Sequence, residues 1–503
     1  MLFLKAKLLD VDLENNGVIV NERDLIGTEY YPQDRVLIET SKGSFVGVLY
    51  HSKTMVNEGE IGISKSFIGY LKEGDEVRVR HAHKPQSLKY IKKKMDGQVL
   101  NSQEIGTIID DIVSKKLSNI ELTGFIVSTY INGMEMREIV EMAKRMAETG
   151  DKLQWDKKPI LDVHSIGGVP GNKYALITVP IVASAGIIIP KTSSRAITSA
   201  AGTVDVMEVL TKVNLNAQEI KKVVETTNGC LVWGGGVNLA PADDIIINVE
   251  RPLSIDPQPQ LLSSVMAKKI ATGIDHTLID IPIGPEVKIK NEREGNTLAR
   301  KFIELGERVG ISVECVLTYG GQPIGRAIGP ALEAKEALMA LNDSKSAPKS
   351  LIEKSVSLAG ILLESGGAAQ PGAGVDMAWD ILLSGKALEK FKEIIVEQGE
   401  KITDPNEIEV GKYFEGIAAP RNGYVTSIHN KLITNIAKEA GAPKDKKAGV
   451  LLYVKRGNKV DKGQLLYRIY SSSEDRLMAA VKLARRTYPV KVEGMLIKKI
   501  KEF

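Results

Sequence analysis

The alternation of apolar and polar residues at the start of the chain is typical of half-buried β-strands. It is strictest at Val77–Arg80, where every second residue is apolar. Arg35–Leu49 contains two such runs around Ser41–Ser44, which has the composition of a hairpin turn. We therefore predict a β-rich N-terminal domain over residues 1–84. The pattern is then interrupted at Lys84–Ser87, a plausible linker.

A helical period replaces the alternation after this linker. The isoleucines between residues 105 and 112 fall on one face of a helix. Asn101 and Glu104 precede them at the spacing of a capping box. We predict a helical domain over residues 85–158, to which part of 240–275 is added.

Short apolar runs alternate with helical stretches from residue 159 onward. The strand candidates are Pro159–Val163, Ile187–Ile189, Ile245–Val249, Thr277–Ile283 and Ser312–Thr318. This alternation predicts an α/β domain over residues 159–405, with a mostly parallel sheet and ligands at the C-terminal ends of its strands. A β-leaning stretch after Asp404 then begins a C-terminal α/β domain over residues 406–503.

Composition narrows the range of partners. Apolar residues make up 43% and charged residues 26% of the chain, as in ordinary soluble proteins. A net charge of +4 argues against a nucleic-acid coat or a polybasic membrane anchor. The first residues lack the apolar stretch of a signal peptide, and the longest apolar runs are too short or too broken to span a bilayer. We expect a cytoplasmic protein with no nucleic-acid or membrane partner. Cys230 and Cys315 form no metal-binding or disulfide pattern, so no metal is expected.

The segment 162–173 is a candidate anion-binding loop. A predicted strand ends there, a serine and a pair of glycines follow, and a helix comes next. Glycines let backbone N–H groups approach an anion, and a helix N-terminus favours negative charge. The segment is not a Walker A loop, because its lysine is misplaced and no serine or threonine follows it. Glycine-rich turns also have purely structural roles, and that interpretation stays open here.

A second loop with suitable chemistry follows the next predicted strand. Lys191–Ser199 carries two cations and five hydroxyls within nine residues. Successive loops of a parallel sheet lie side by side, so both loops would face one pocket. Hydroxyls and a guanidinium suit phosphate oxygens, whereas a solvated Ser/Thr turn is the alternative.

Several blocks of this sequence resemble the thymidine and pyrimidine-nucleoside phosphorylases. Residues 162–169 are similar to the phosphate loop of that family, and the resemblance runs from about residue 88 to the C-terminus in the family's order. The further similar blocks are 180–186, 240–243, 264–269 and 321–329. Several blocks in order are far more specific than any one of them.

Three departures favour one branch of this family. The pyrimidine-nucleoside enzymes have lysine in place of Val163 and glycine in place of Ser194, and they lack a domain like residues 1–84. In these features, and along its whole length, the chain resembles the archaeal AMP phosphorylases. The resemblance implies that AMP and inorganic phosphate, the co-substrate, give adenine and ribose 1,5-bisphosphate, with CMP and UMP as further substrates and no cofactor.

The resemblance also implies an architecture. A small helical domain would face a mostly parallel-sheet α/β domain across a cleft, with an extra β-rich N-terminal domain and a C-terminal α/β domain. It further implies a homo-oligomer, a dimer or larger, whose assembly the N-terminal domain assists.

Roles for individual residues follow from the same resemblance. Asp256 is implied as the proton donor. Ser165, Gly167 and Ser193 are further candidates for the attacking phosphate, whose seat the absence of a lysine at position 163 leaves open. Contacts to the nucleotide are implied for Gly168, Ser194, Arg195, Ala196, Ile197, Thr198, Ser199, Thr203, Ser264 and Lys288.

These roles fit the chemistry of phosphorolysis. Protonation of the leaving base is general acid catalysis, worth about 10²–10⁴-fold. Asp256 must keep a proton for this purpose, which an apolar setting favours; the leucines and isoleucine between residues 253 and 262 could supply it. A simple turn at Asp256-Pro257 is the alternative. The 5′-phosphate needs extra cations, for which Lys288 and Arg195 are candidates, although a lysine after a turn is commonly just solvent-exposed. His164 could face the base or pack in the sheet.

Three other functions remain to be weighed. A pyrimidine-nucleoside phosphorylase would prefer nucleosides to nucleotides. A phosphoribosyltransferase would need pyrophosphate and magnesium, and these loops contain no clear acidic pair for the metal. A non-catalytic nucleotide-binding assembly protein is the third alternative, and the presence of Asp256, Gly168 and Thr203 argues against it.

Overall fold

The computed structural model divides the chain into two compact units. The first consists of Met1–Thr149 and Ala240–Ser264, and the second of Gly150–Leu239 and Val265–Phe503. The described residues are 1–11, 13, 16–64, 71–196, 199–399 and 401–494. Within these ranges, no helix is both long and apolar enough to cross a membrane.

The first unit begins with a closed β-barrel. Its strands are β1 (Leu2–Leu9), β2 (Val18–Asn21), β3 (Arg35–Thr40), β4 (Gly43–Ser52), β5 (Glu60–Ser64) and β6 (Glu76–His81), in the order β1-β5-β2-β4-β3-β6. The predicted hairpin is confirmed: β3 and β4 pair antiparallel, with Arg35 opposite Val48 and Thr40 opposite Gly43. The apolar members of the alternating runs form the barrel's own core, as Val79 shows by its complete burial.

Helices make up the rest of the first unit, and the second unit contains both helices and strands. In chain order the helices are α1 (Ser87–Met95), α2 (Ser102–Val113), α3 (Asn119–Asn132), α4 (Met136–Glu148), α5 (Ala175–Ser184), α6 (Thr203–Leu210), α7 (Ala217–Thr227), α8 (Pro241–Leu253), α9 (Gln258–Thr272), α10 (Glu292–Val309), α11 (Pro330–Asn342), α12 (Lys349–Ser365), α13 (Gly374–Leu383), α14 (Lys386–Glu397), α15 (Asn430–Glu439) and α16 (Glu474–Thr487). The capping box predicted from Asn101 and Glu104 is confirmed at the start of α2.

One predicted strand is wrong. Ile245–Val249 lies inside helix α8, which starts with Pro241 in its first turn. Ala242, Ile246 and Val249 are buried there at helical spacing. A short apolar run fits a strand and a buried helix equally well, and the helix start decides between them here.

The main sheet of the second unit is parallel. Its strands are β7 (Leu161–Ser165), β8 (Ile189–Ser193), β9 (Gly229–Trp233), β10 (His276–Ile283) and β11 (Ser312–Tyr319). β10 pairs in parallel with both β7 and β11, and β8 pairs in parallel with β9. A bridge between Ile160 and Ile188 joins the two groups of strands just before β7 and β8. Strand β8 starts two residues later than predicted, at Ile189. The C-terminal ends of β7, β8 and β10 therefore lie at one edge.

The C-terminal part of the second unit contains antiparallel sheets with their own core. One sheet has the order β12-β15-β17-β13 and the other β16-β14-β18. The strands are β12 (Ala327–Ile328), β13 (Tyr413–Ala418), β14 (Gly423–Ile428), β15 (Gly449–Leu452), β16 (Lys459–Val460), β17 (Leu465–Ser471) and β18 (Val490–Glu493). Strand β12 comes from the preceding α/β part and pairs with β15, so backbone hydrogen bonds tie the two parts together.

Candidate active site

The loop after β7 has the backbone of an anion-binding turn. Gly167 and Gly168 have φ angles of +83° and +92°, which glycine adopts without strain. The Ser165 hydroxyl oxygen accepts hydrogen bonds from the N–H of Gly167 at 3.3 Å and from Asn172 Nδ2 at 3.1 Å. The serine therefore organises the turn from within, while the glycines keep its backbone accessible.

Gly168 also brings two predicted ligand loops into contact. A Cβ atom at this position would lie 3.1 Å from the backbone nitrogen of Lys288 and 3.4 Å from Val287 Cα. Any larger residue would push the loop Gly284–Lys288 away. The structure thus places two of the predicted nucleotide ligands, Gly168 and Lys288, side by side.

The lysine of this first loop has a structural role. Lys173 is completely buried, and its ammonium forms a 2.8 Å ion pair with Glu336. It also donates to the carbonyl oxygens of Gly171 and Ala327, at 2.8 and 3.2 Å. These contacts fasten the segment before α5 to β12 and α11, so the lysine that ends this glycine-rich segment is a structural residue.

Four lysines lie around His164 at the end of β7; we call Lys191, Lys268, Lys269 and Lys288 the lysine cluster. Burial is the main cause that lowers the pKa of His164 well below its usual value, and the four ammonium groups lower it further. His164 is therefore a neutral imidazole at physiological pH, able to donate one hydrogen bond and accept another. A group of lysines at the end of a strand suits anionic substrates.

Asp162 is the acidic partner of part of this cluster. Its carboxylate is 2.5 Å from Lys269 and 3.7 Å from Lys191, and all three side chains are almost completely buried. Burial lowers the pKa of Lys191 to about 8, although Asp162 opposes this effect. Two ammonium groups thus share one carboxylate directly beside the loop.

Position 163, where the pyrimidine-nucleoside enzymes carry lysine, is a core position here. Val163 is completely inaccessible and belongs to the apolar core of the second unit. Successive side chains of a strand point to opposite faces, so Val163 points away from the side of Asp162 and His164. Cations near this loop come from the lysine cluster instead.

The loop after β8 is closed by helix α6. The Asp205 carboxylate accepts hydrogen bonds from the N–H groups of Ala196 and Gly202, at 2.7 and 3.1 Å. A Cβ atom at Gly202 would lie 2.8 Å from the nitrogen of Ala196, so only glycine fits this crossing. Thr203 is the first residue of α6. Ser193 Oγ is buried without a hydrogen-bond partner among the described residues, and a bound anion could provide one.

Arg195 is held by acidic side chains. Its guanidinium forms two 2.7 Å hydrogen bonds with Glu208 and lies 5.1 Å above the ring of Trp233. Lys446 from the C-terminal part pairs with both Asp205 and Glu208 at 2.9 Å. The hydrogen bonds from Arg195 are the main cause that lowers the pKa of Glu208 to about 2, although burial opposes this effect. This carboxylate therefore stays ionised.

The other residues of this predicted segment are less constrained in the structure. Ser194 is exposed, and the Ser199 hydroxyl donates to the carbonyl oxygen of Ala201 at 2.9 Å. Ile197 and Thr198 lie outside the described residues.

Asp256 and Ser264 belong to the first unit, whereas the other predicted ligands belong to the second. Asp256 is exposed in the connection between α8 and α9, and Leu253 is 42% exposed. Of the apolar neighbours that the sequence offered, only Leu262 is fully buried. The apolar setting expected for Asp256 is therefore not provided by these chain neighbours. Ser264 is half-buried on α9.

The lysine cluster is the feature that sequence reasoning missed. Lys191 lies at the end of β8, while Lys268 and Lys269 form a doublet on α9, one turn after the predicted ligand Ser264. The doublet lies in the block 264–269, which resembles the phosphorylases. That resemblance is the sequence signal that could have identified these lysines. The meeting of Lys269 and Lys191 at Asp162 is a long-range contact that spacing does not reveal.

Three family models match the chain. The glycosyl transferase family helical bundle domain matches residues 88–150, the glycosyl transferase family a/b domain matches residues 157–388, and the pyrimidine nucleoside phosphorylase C-terminal domain matches residues 424–491.

Curated relatives match the chain from end to end. A protein named AMP phosphorylase from Methanococcus aeolicus is 71% identical and covers 100% of both chains. Proteins of the same name from Methanocaldococcus jannaschii and Pyrococcus furiosus are 62% and 52% identical, with at least 99% of each chain covered.

Among solved structures, the chain is similar to anthranilate phosphoribosyltransferase from Thermus thermophilus. The TM-score is 0.52 at 18% sequence identity, over 61% of this chain and 98% of that one. At this identity the likeness concerns the fold alone.

Proposed function

The chain belongs to the AMP phosphorylase family, and on that premise we propose that it splits AMP with inorganic phosphate into adenine and ribose 1,5-bisphosphate. CMP and UMP are included as further substrates. The observation that carries the proposal from the structural side is the lysine cluster beside the loop Ser165–Gly168. A reaction that joins a phosphate dianion to a nucleotide brings two anions together, and the ammonium groups of Lys191 and Lys269, which share the one carboxylate of Asp162, offset their repulsion.

The attacking phosphate binds, in this proposal, at the turn Ser165–Gly168 and at the start of α6. Positive-φ glycines and a helix N-terminus both present N–H groups to an anion. The buried hydroxyl of Ser193 supports this seat, because it would donate a hydrogen bond to a phosphate oxygen. Thr203, at the first turn of α6, completes the set of donors.

The departing base takes its proton from Asp256. The bond between the ribose and adenine breaks as phosphate attacks C1′, and protonation at N7 of adenine neutralises the electron pair that leaves with the base. Because Asp256 is exposed, the bound base itself would have to shield the carboxyl group from water. Ser264 and the segment Ser194–Ser199 contact the nucleotide.

Lys288 binds the 5′-phosphate. Its loop touches Gly168, and its charge acts on His164, which supports a position beside the phosphate turn. The other candidate for this contact, Arg195, forms two hydrogen bonds with Glu208.

Replacement of Lys288 tests this contact. We expect Lys288→Ala to raise KM for AMP by about 10- to 100-fold, because a hydrogen bond between charged groups contributes about 1.5–3 kcal/mol. KM for adenosine, which lacks the 5′-phosphate, should change little. Initial rates with both substrates provide the measurement, and an equal rise for both would argue against the contact.

The oligomeric state and the absence of a cofactor remain predictions. We propose a homo-oligomer, to be measured by light scattering on the purified protein. We propose that phosphate is the only additional reactant, so an excess of EDTA should leave the rate unchanged.

The decisive experiment incubates the purified protein with phosphate and, separately, with AMP, CMP, UMP, adenosine and thymidine. Chromatography and mass spectrometry should identify adenine and a ribose bisphosphate from AMP, with kcat/KM higher for AMP than for either nucleoside. Preference for thymidine would favour a pyrimidine-nucleoside phosphorylase. Binding of AMP without release of adenine would favour a non-catalytic nucleotide-binding protein.

A further inference from the structure

The loop that carries Lys288 is hydrogen-bonded to the start of helix α15, in the C-terminal part of the chain. His429 Nδ1 lies 2.9 Å from Glu286 Oε1, and the backbone N–H of Lys431 donates to Glu286 Oε2 at 3.3 Å. Asn430, which is buried, donates from Nδ2 to the carbonyl oxygen of Gly320 at 2.8 Å. Three consecutive residues of one helix start thus hold the ends of β10 and β11.

Glu286 also caps the start of helix α15. His429 is the N-cap residue of α15, and its own side chain makes no capping hydrogen bond. A carboxylate near the first turn satisfies an orphan N–H and interacts favourably with the positive end of the helix. Glu286 supplies that carboxylate from another element, so the contact stabilises both the helix and the loop.

The loop has little freedom at its other contacts. A Cβ atom at Gly284 would lie 2.8 Å from the backbone of Gly320, which itself accepts the bond from Asn430. Val287 is only 7% exposed, and Gly168 fits closely against it from the other side. Lys288 is two residues from Glu286, so a shift of the carboxylate moves the base of the lysine side chain.

We propose that His429 and Glu286 are positioning residues that fix the Gly284–Lys288 loop, and that the C-terminal part of the chain thereby sets the affinity for the nucleotide 5′-phosphate. His429 touches neither substrate nor reacting atoms in this proposal, and it acts through Glu286 and Lys288. The proposal rests on the function proposed above, in which Lys288 binds that phosphate.

The kinetic test uses His429→Ala and His429→Asn. The alanine variant loses the donor to Glu286, and we expect KM for AMP to rise about three- to tenfold, as suits a mostly buried pair, with kcat changed less than twofold. Asparagine can place an amide N–H close to the position of Nδ1, so His429→Asn should restore most of the affinity. KM for adenosine should stay unchanged in both variants.

Two controls separate positioning from general damage. Arg485→Ala removes an exposed ion pair with Glu415, 3.0 Å long, in the same part of the chain, and it should leave KM for AMP unchanged. In a Lys288→Ala background, His429→Ala should add no further rise in KM, because its route to the phosphate is already lost. A full additional rise in that background, or a loss of kcat at constant KM, would overturn the proposal.

A second readout does not depend on activity. Hydrogen exchange followed by mass spectrometry should show faster exchange in peptides covering residues 284–290 for His429→Ala than for wild type, with unchanged exchange in the barrel. Unchanged exchange in residues 284–290 would overturn the proposal even if the protein is an active AMP phosphorylase. Faster exchange in a protein that releases no adenine would show that the proposed function fails while the loop is still held in this way.

Discussion

Asp162 and its two lysines form a buried charged group beside the predicted phosphate turn. One carboxylate faces two ammonium groups, so the group carries an excess positive charge when both lysines are protonated. Removing an ion from water is costly unless a partner compensates it. Lys191 shows the consequence, because burial lowers its pKa to about 8. A phosphate anion bound nearby would favour the charged form of Lys191, which couples phosphate affinity to pH.

We expect KM for phosphate to rise as the pH increases from 7.5 to 9. Lys191 loses its charge in the unliganded protein near pH 8, so phosphate must bind against the cost of taking up a proton. The other charged groups that act on Lys191 are Asp162, Lys268 and Lys269, and they are present both in wild type and in Lys191→Met. The pH dependence of KM should be weaker in Lys191→Met, and an identical dependence in both proteins would exclude Lys191 as its source.

Loss of the proton from Lys191 weakens the binding of phosphate, but it has the opposite effect on the stability of the fold. The pKa of Lys191 is lower in the folded chain than the usual 10.5, so the unfolded chain binds more protons between these values. Stability contributed by this group therefore rises with pH from about 8 to 10.5, while phosphate affinity falls. The two signs together distinguish a titrating Lys191 from general alkaline denaturation.

Asp256 supports a second prediction at the scale of the residue. Asp256→Asn keeps the shape and hydrogen-bonding capacity of the side chain but cannot protonate the base. We expect kcat for AMP to fall by about 10²–10⁴-fold, with KM changed far less. Steady-state rates at saturating phosphate provide the measurement. Turnover close to that of wild type would remove Asp256 from the acid role.

At the scale of elements, helix α6 holds the loop that precedes it. Asp205 accepts from the backbone of Ala196 and Gly202, so one carboxylate closes the ends of the loop and caps the helix. Arg195 and Lys446 extend this contact through Glu208. The loop that should contact the nucleotide thus depends on acidic groups that need not touch it.

We expect Asp205→Ala to raise KM for AMP at least fivefold and to lower the free energy of unfolding by about 1–2 kcal/mol, the usual cost of a lost cap. Glu219→Ala is a matched control, since Glu219 has the equivalent place in the capping box of α7. It should cost similar stability without changing KM. Urea unfolding and initial rates are measured for both variants. A similar rise in KM for Glu219→Ala would mean that lost stability alone explains the rise in Asp205→Ala.

The elements also show which features of the fold a sequence can reveal. Capping boxes at Asn101 and at Ser118 involve residues three apart, so their spacing is visible in the sequence and the structure confirms the first as predicted. The lysine cluster depends on β7, β8 and α9 meeting, which no local pattern contains. The mistaken strand at Ile245–Val249 has a different, local origin, since periodicity over five residues cannot tell a strand from a buried helix.

At the scale of the molecule, the N-terminal barrel is a separate core. Its buried side chains form one cluster of their own, and its strands close on one another, which removes free edges. Arg35 on β3 pairs with Glu121 at the start of α3. Glu121 also accepts from the N–H of Ser118 at 2.7 Å, so the cap of α3 does not depend on the barrel.

Deletion of residues 1–84 is therefore expected to leave the rest of the chain folded. The lost ion pair frees one carboxylate at a helix start, where negative charge is favourable even without Arg35. Far-UV circular dichroism should retain the helical signal, and kcat/KM for AMP should stay within about threefold of the full chain, because the predicted ligands lie beyond residue 84. Light scattering should report a smaller oligomer if the barrel assists assembly. An active variant of unchanged size would exclude that role, and an aggregated one would show that the barrel covers apolar surface of the helical domain.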